Sequence, residues 1–112
     1  MSKGVGIVTR YMSVCVVCGK PAECTHHLCG GSGKRKNSDD DGLLVPLCNK
    51  HHNMGNITER IHDNPAAEAM SKIAGQLAWE KRWIVERREL PFEDIEDDAR
   101  MAFMDRFGRS YL

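Results

Sequence analysis

Two short segments, Cys15 to Cys18 (CVVC) and Cys48 to His51 (CNKH), constrain the fold of this chain more than any other feature. In each segment, two residues separate two metal-binding side chains, so that one tight turn can direct both toward the same ion. Two such turns complete a tetrahedron. The spacing therefore predicts a structural zinc held by Cys15, Cys18, Cys48 and His51, and it requires two segments distant in sequence to meet.

Cys24 and Cys29 compete as ligands, although their four-residue gap is less typical of zinc sites, and the alternative is that all the thiols are reduced and simply pack. The total of five cysteines is odd, which argues against a complete set of disulfides. The opening MSKGVGIVTRYM lacks the apolar run of a signal peptide, and no stretch of about 18 apolar residues predicts a membrane span. We therefore expect a cytoplasmic protein with reduced thiols and no membrane partner.

The length of 112 residues fits a single α+β domain over 1–112, with a zinc knuckle and two-stranded core over about 15–62 and a helical scaffold over about 64–108. ECTHHL and LLVPL read as strands, and the long polar segment LCGGSGKRKNSDDDG between them reads as a loop. Helices are predicted over Asn49–Glu59, Asn64–Arg88 and Phe92–Phe107.

The second predicted helix has the clearest start, because Asn64 suits the N-cap and Pro65 suits the first helical position. Trp79 and Trp83 are interpreted as packing residues rather than base-stacking ones. One face carries an apolar stripe that should be buried, formed by Met70, Ile73, Ala74, Leu77 and Ile84.

Charge is balanced overall, with 16 basic and 16 acidic residues, but it is unevenly distributed. Residues 1–36 hold six basic side chains and one acidic side chain, whereas Glu89–Asp98 holds six acids and no base. A basic front suits a protein that meets polyanions. Within it, Lys34, Arg35 and Lys36 are predicted to contact phosphates of a nucleic acid, and the alternative is a solvated loop tip.

Histidines beyond the zinc ligand indicate a second site. His26 and His27 are neighbours in a predicted strand and so point to opposite faces, where one can bind a metal and the other can move protons. His52 lies in the first turn of a predicted helix and shares a face with Asn56, four residues on. Imidazole and amide donors with room for water are typical of an open, catalytic metal site.

The order ECTHHL, glycine-rich loop and LLVPLCNKHHN resembles the HNH (His-Me finger) endonucleases, and more narrowly the small phage and prophage HNH proteins that include recombination-enhancing nucleases. The resemblance covers about Cys15 to His62. It implies a ββα-metal motif and hydrolysis of nucleic-acid phosphodiester bonds, with DNA expected in preference to RNA.

The resemblance also implies roles for individual residues. His27 matches the general base, and His26 and His52 match ligands of the catalytic ion. Asn56 falls where many members place the last metal ligand, and we favour it slightly over His62, which is chemically the better ligand but lies off the predicted helical face.

The sequence departs from the family where the central asparagine would fall, near Leu43. Asp41, two positions earlier, is expected to replace that asparagine by bracing the loop and orienting His27. The catalytic ion is expected to be Mg²⁺ or Mn²⁺, although imidazole ligands also suit Ni²⁺ or Zn²⁺. The competing interpretations are a non-catalytic zinc module that binds nucleic acid or protein, and a prophage regulator or assembly factor built on an old nuclease fold.

Overall fold

The computed structural model of this protein describes residues 6–29, 34–87 and 95–112. These residues form a two-stranded sheet and three helices, which confirms a small mixed α and β architecture. None of the helices described is both long enough and apolar enough to cross a membrane. In chain order the elements are β1 (Cys24–His27), α1 (Arg35–Asp40), β2 (Leu44–Leu47), α2 (Pro65–Glu86) and α3 (Ile95–Phe107).

The two predicted strands pair antiparallel, with His26 opposite Val45 and His27 opposite Leu44. All four residues of β2 are buried, as its apolar sequence requires, and β2 therefore lies in the centre of the molecule. The first cysteine turn is attached to it, because the Val16 amide donates to the Pro46 carbonyl at 2.9 Å. The sheet thus holds β1 and the first zinc-binding turn against the same central strand.

The segment between the strands is not entirely a loop, because α1 occupies six of its residues. Ser38 is fully buried and donates to the Leu43 carbonyl at 2.8 Å, while the Asn37 amide donates to the Arg106 carbonyl at 3.0 Å. These contacts reach α3 and the residue just before β2, and the segment RKNSDD has no apolar periodicity of its own. Tertiary contacts therefore stabilise a helix that the local sequence does not signal.

The predicted helix Asn49–Glu59 is wrong beyond its first turn. One wide, π-type turn covers Lys50–Met54 and ends at Gly55, whose backbone is extended. A Cβ at Gly55 would collide with the Lys50 carbonyl, so the glycine is what allows the chain to turn here. The chain then doubles back instead of continuing as a helix.

Helix α2 begins as predicted, with the Asn64 side chain accepting from the Ala67 amide at 3.2 Å and Pro65 in the first position. Its middle lies close to β1, since a Cβ on Gly75 would approach Leu28 to 3.2 Å. Trp79 packs as expected, with its ring edge-on to Phe103 at 5.5 Å between centroids. Helix α3 ends at Phe107 and is followed by Gly108, which adopts a positive φ of 85°.

The predicted apolar stripe of α2 is wrong as a buried face, because Met70 is 66% exposed and Leu77 is 52% exposed. The buried face instead includes Gln76 and Glu80, which hydrogen-bond to each other at 2.7 Å. The Arg100 guanidinium on α3 completes this network by donating to Glu80 at 2.8 Å. A fully hydrogen-bonded polar network thus holds α2 against α3. The apolar periodicity of α2 had indicated a different face of the helix.

Candidate metal centres and the adjoining cleft

The four residues predicted to bind zinc meet in one cluster, with their donor atoms all within 4.8 Å of one another. The His51 Nδ1 atom lies 3.2 Å from Cys48 Sγ and 3.8 Å from Cys15 Sγ. The sulfur atoms of Cys18 and Cys48 are 3.8 Å apart. The two turns therefore converge as their spacing required.

These distances fit a tetrahedral zinc ion. With Zn–S bonds of about 2.3 Å and Zn–N bonds of about 2.0 Å, tetrahedral geometry separates two sulfurs by about 3.8 Å and sulfur from nitrogen by about 3.5 Å. Burial raises the pKa of Cys15, but hydrogen bonds from the backbone of Cys48, Cys18 and Val17 outweigh it and lower that pKa to about 6. The cluster can therefore bind zinc with its Cys15 ligand already a thiolate at neutral pH.

The two cysteines that compete as ligands lie outside this cluster. Cys24 Sγ donates to the Leu47 carbonyl at 3.3 Å. Cys29 is buried in the core, where burial raises its pKa to about 11. Both thiols are therefore placed as packing residues of the strand and the core.

A second cluster gathers His26 from β1, His52 from the wide turn and His62 from the segment before α2. The ring centroids of these imidazoles are 4.6 to 5.5 Å apart, and the Nε2 atoms of His52 and His62 are separated by 2.9 Å. Burial, followed by the nearby rings of His62 and His52, lowers the pKa of His26 to about 4. At neutral pH its ring nitrogen therefore carries a free lone pair.

The structure selects His62 over Asn56 in this cluster. The Ile61 amide donates to the His51 carbonyl at 2.9 Å and the His62 amide donates to the His52 carbonyl at 3.1 Å, so the returning chain lies beside the wide turn. The Asn56 Oδ1 atom instead accepts from the Thr58 amide and hydroxyl at 3.1 and 2.6 Å. Our preference for Asn56 is corrected, because the helix on which it depended ends at Met54.

The three imidazoles could hold a metal ion, because one ring nitrogen of each lies within 4.8 Å of the others. The Nε2 atoms of His52 and His62, 2.9 Å apart, are also within hydrogen-bond distance of each other. Three protein donors would leave positions on an ion for water or substrate, as in catalytic metal sites.

His27 lies beside this cluster on β1 but has a different partner. Its Nε2 atom is 3.3 Å from the Asp39 Oδ1 atom of α1. Its side chain is 18% exposed, so it remains accessible from the neighbouring cleft. His26 and His27 are adjacent in β1 but have different neighbours. The His26 ring lies among the other histidines, whereas the His27 ring lies beside the Asp39 carboxylate.

Asp41, expected to orient His27, has other partners. Its carboxylate accepts from the Arg106 guanidinium at 2.8 and 2.9 Å and from the Trp79 indole at 2.9 Å. It therefore braces the chain after α1 against both α2 and α3. The carboxylate that lies beside His27 is that of Asp39, two residues before Asp41.

An open cleft of about 470 Å³ adjoins the histidine cluster. Of the predicted basic triplet, Arg35 lines this cleft. Lys34 immediately precedes α1, and Lys36 pairs with Asp40 at 2.7 Å on an exposed side of that helix. Residues lining the cleft are Thr25, His26, His27, Leu28, Arg35, His52, His62, Glu68, Ser71 and Lys72.

Sequence reasoning missed Asp39, Glu68 and Lys72 as neighbours of the histidines. The last two are four residues apart on α2, a spacing that is common on solvent-exposed helices and carries no signal of a site. Asp39 lies in a run of three aspartates, within which alternation alone does not single out one member. Their placement depends on how α1 and α2 pack against β1.

No protein-family model and no solved structure matches this chain. The chain is similar to an uncharacterised protein, YdfU, of Escherichia coli K12, with 48% identity over 48 residues. The match covers 40% of this chain and 14% of YdfU, so this chain spans a small part of that protein's length. A related segment therefore occurs within a longer protein.

Proposed function

We propose that this chain is a metal-dependent endonuclease of the HNH type, of the kind that phages and prophages carry, acting on DNA in the cytoplasm. The observation that carries the proposal is the placement of His26, His52 and His62 beside His27 at one open cleft. His26 and His27 lie in β1, His52 lies in the wide turn after β2, and His62 lies in the segment before α2, which supports the resemblance to a ββα-metal motif.

Each histidine of the cluster has one task in this proposal. His26, His52 and His62 hold a divalent ion such as Mg²⁺ or Mn²⁺. That ion supplies positive charge against the negative charge that develops on the phosphate and on the departing oxygen. The low pKa of His26 keeps that ligand neutral at physiological pH.

His27 acts as the general base in this proposal, and Asp39 is its positioning residue. The Nε2–H group donates to Asp39, which leaves the lone pair of Nδ1 to accept a proton from the attacking water. The carboxylate also stabilises the imidazolium that forms. A fixed ring orientation lets the proton transfer occur in step with attack on phosphorus.

A second candidate is a zinc module that binds a protein partner. It is favoured by the apolar surface of the first cysteine turn, where Val16 is 49% exposed and Val17 is 63% exposed. It gives no role to the histidine cluster, which faces a cleft rather than the core. We therefore place the nuclease first.

Purified protein incubated with supercoiled plasmid and with single-stranded DNA should cut at least one substrate when Mg²⁺ or Mn²⁺ is present. A short EDTA treatment should stop cleavage, and excess Mg²⁺ or Mn²⁺ without added zinc should restore it. A matched RNA substrate tests the preference for DNA. Absence of cleavage with any of these ions, in protein that retains its zinc, would contradict the proposed function.

His62→Ala should raise the Mg²⁺ or Mn²⁺ concentration needed for half-maximal cleavage by at least about tenfold, because one of three protein ligands is lost. Asn56→Ala is the matched control, since its side chain contacts Thr58 instead of the cluster. The measurement is cleavage rate against metal concentration for both variants. If Asn56→Ala shifts the curve and His62→Ala does not, the ligand set is wrong.

A further inference from the structure

Helix α2, expected from sequence to be scaffold, contributes a cation to the cleft. Lys72 lines the same cavity as the four histidines, and it is partly buried there. Helix α2 therefore adds a positively charged side chain to the lining of the cleft.

Lys72 has no carboxylate partner within 4.0 Å among residues 6–29, 34–87 and 95–112. Glu68 lies one turn earlier, at the spacing that often gives an ion pair on a helix, and it also lines the cleft. The ammonium instead lies 5.8 Å from the centre of the Tyr111 ring. A partly buried cation left without an acid is suited to receive an anion from outside the protein.

Arg35 adds a second cation to the same cleft from a different element. It precedes Asp39 by one turn on α1, and its exposed side chain lines the cavity that Lys72 also lines. Two cations from α1 and α2 thus share one cavity with the His27 imidazole. An extended chain of phosphate groups can contact both, whereas a single small anion needs one.

We propose that Lys72, together with Arg35, forms a phosphate-binding site of α2 and α1 for the backbone of a polynucleotide strand. The identity of the ligand as nucleic acid rests on the proposed function. An ammonium contacts phosphate oxygens as a point charge, so this site strengthens binding without reading base sequence. Lys72 holds the strand so that one phosphodiester lies against the histidine cluster.

The test measures binding separately from cleavage. A fluorescein-labelled single-stranded DNA oligonucleotide is titrated by anisotropy with protein carrying His27→Ala, without added divalent ions, between about 50 and 200 mM salt. Adding Lys72→Gln should weaken binding about threefold to tenfold and should reduce the slope of log K against log salt by about 0.7. Lys81→Gln, an exposed lysine on the same helix, is the matched control and should change neither.

Zinc content and circular dichroism of both variants establish that they fold, and Lys72→Arg should recover most of the affinity. Equal affinities for Lys72→Gln and Lys81→Gln would overturn the inference, as would a parent protein that does not bind the oligonucleotide. Loss of affinity without any cleavage by the wild type would leave this site standing and remove the nuclease. If the wild type cleaves DNA but Lys72→Gln does not weaken binding, the nuclease function stands and the Lys72 site is refuted.

Discussion

Cys18→Ser is expected to release the zinc and to lower the melting temperature by at least about 10 °C, since a loss of about 3 kcal/mol shifts a domain of this size by that much. The reason is that a structural zinc contributes its binding energy to folding. The first turn and the residues after it also bond to β2, through the Val16 amide to the Pro46 carbonyl and the Glu23 amide to the Leu47 carbonyl, and Cys15 and Cys48 pack in the core. Loss of the ion removes the bonds that would join the first turn directly to the second.

Metal analysis of freshly purified protein should find about one tightly bound zinc per chain, and thermal unfolding followed by circular dichroism measures the loss. Cys24→Ser is the matched control, because Cys24 lies outside the cluster and a hydroxyl can replace its hydrogen bond to the Leu47 carbonyl. Folded wild-type protein without zinc, or a Cys18→Ser variant as stable as the wild type, would refute the assignment.

His27→Ala is expected to lower the cleavage rate by about 10² to 10⁴, the usual effect of removing a general base. Zinc content, fold and DNA affinity should remain close to those of the wild type, because His27 lies outside both metal clusters. Single-turnover cleavage at saturating Mg²⁺ or Mn²⁺ isolates the chemical step. A variant that cuts as fast as the parent would show that another group takes the proton.

Substitutions of Asp39 and Asp41 test which carboxylate orients His27. The sequence predicted Asp41 for this role, whereas Asp39 lies beside the imidazole. Asp39→Asn should lower the cleavage rate less than His27→Ala does, since it removes the negative charge beside the imidazole and retains the size of the side chain. Asp41→Asn should instead lower the melting temperature, because Arg106 loses a carboxylate that it contacts through two nitrogens. The reverse pattern would return the orienting role to Asp41.

The two candidate metal sites are joined through adjacent residues, since His51 belongs to the Cys3His cluster and His52 to the histidine cluster. The backbone of both is held in one turn, which also receives the amides of Ile61 and His62. A zinc ion held by the first cluster would therefore fix the turn that carries His52, one of the three histidines of the second cluster. For this reason the Cys18→Ser variant should lose cleavage as well as stability, whereas His62→Ala should lose metal affinity alone.

The amino-acid sequence by itself determined the Cys15, Cys18, Cys48 and His51 cluster that could bind zinc, because two donors separated by two residues can meet one ion through a single tight turn. It also determined β2, whose apolar residues must be buried, and the start of α2. There the Asn64 side chain accepts a hydrogen bond from the Ala67 amide, and Pro65 has no amide hydrogen that would need a partner. In each of these the signal lies within a few neighbouring residues, so spacing and side-chain type describe it, although the two ligand pairs still had to be brought together by the fold.

Only the tertiary structure decided the composition of the histidine site and its surroundings. His62 replaces Asn56 because Gly55 turns the chain and two backbone hydrogen bonds return it to His51 and His52. Asp39 faces His27 because α1 packs against β1, and Lys72 lines the cleft because α2 lies against Leu28, just after that strand; both depend on long-range contacts. Residues distant in sequence come together through such packing, and no local period or spacing carries that information.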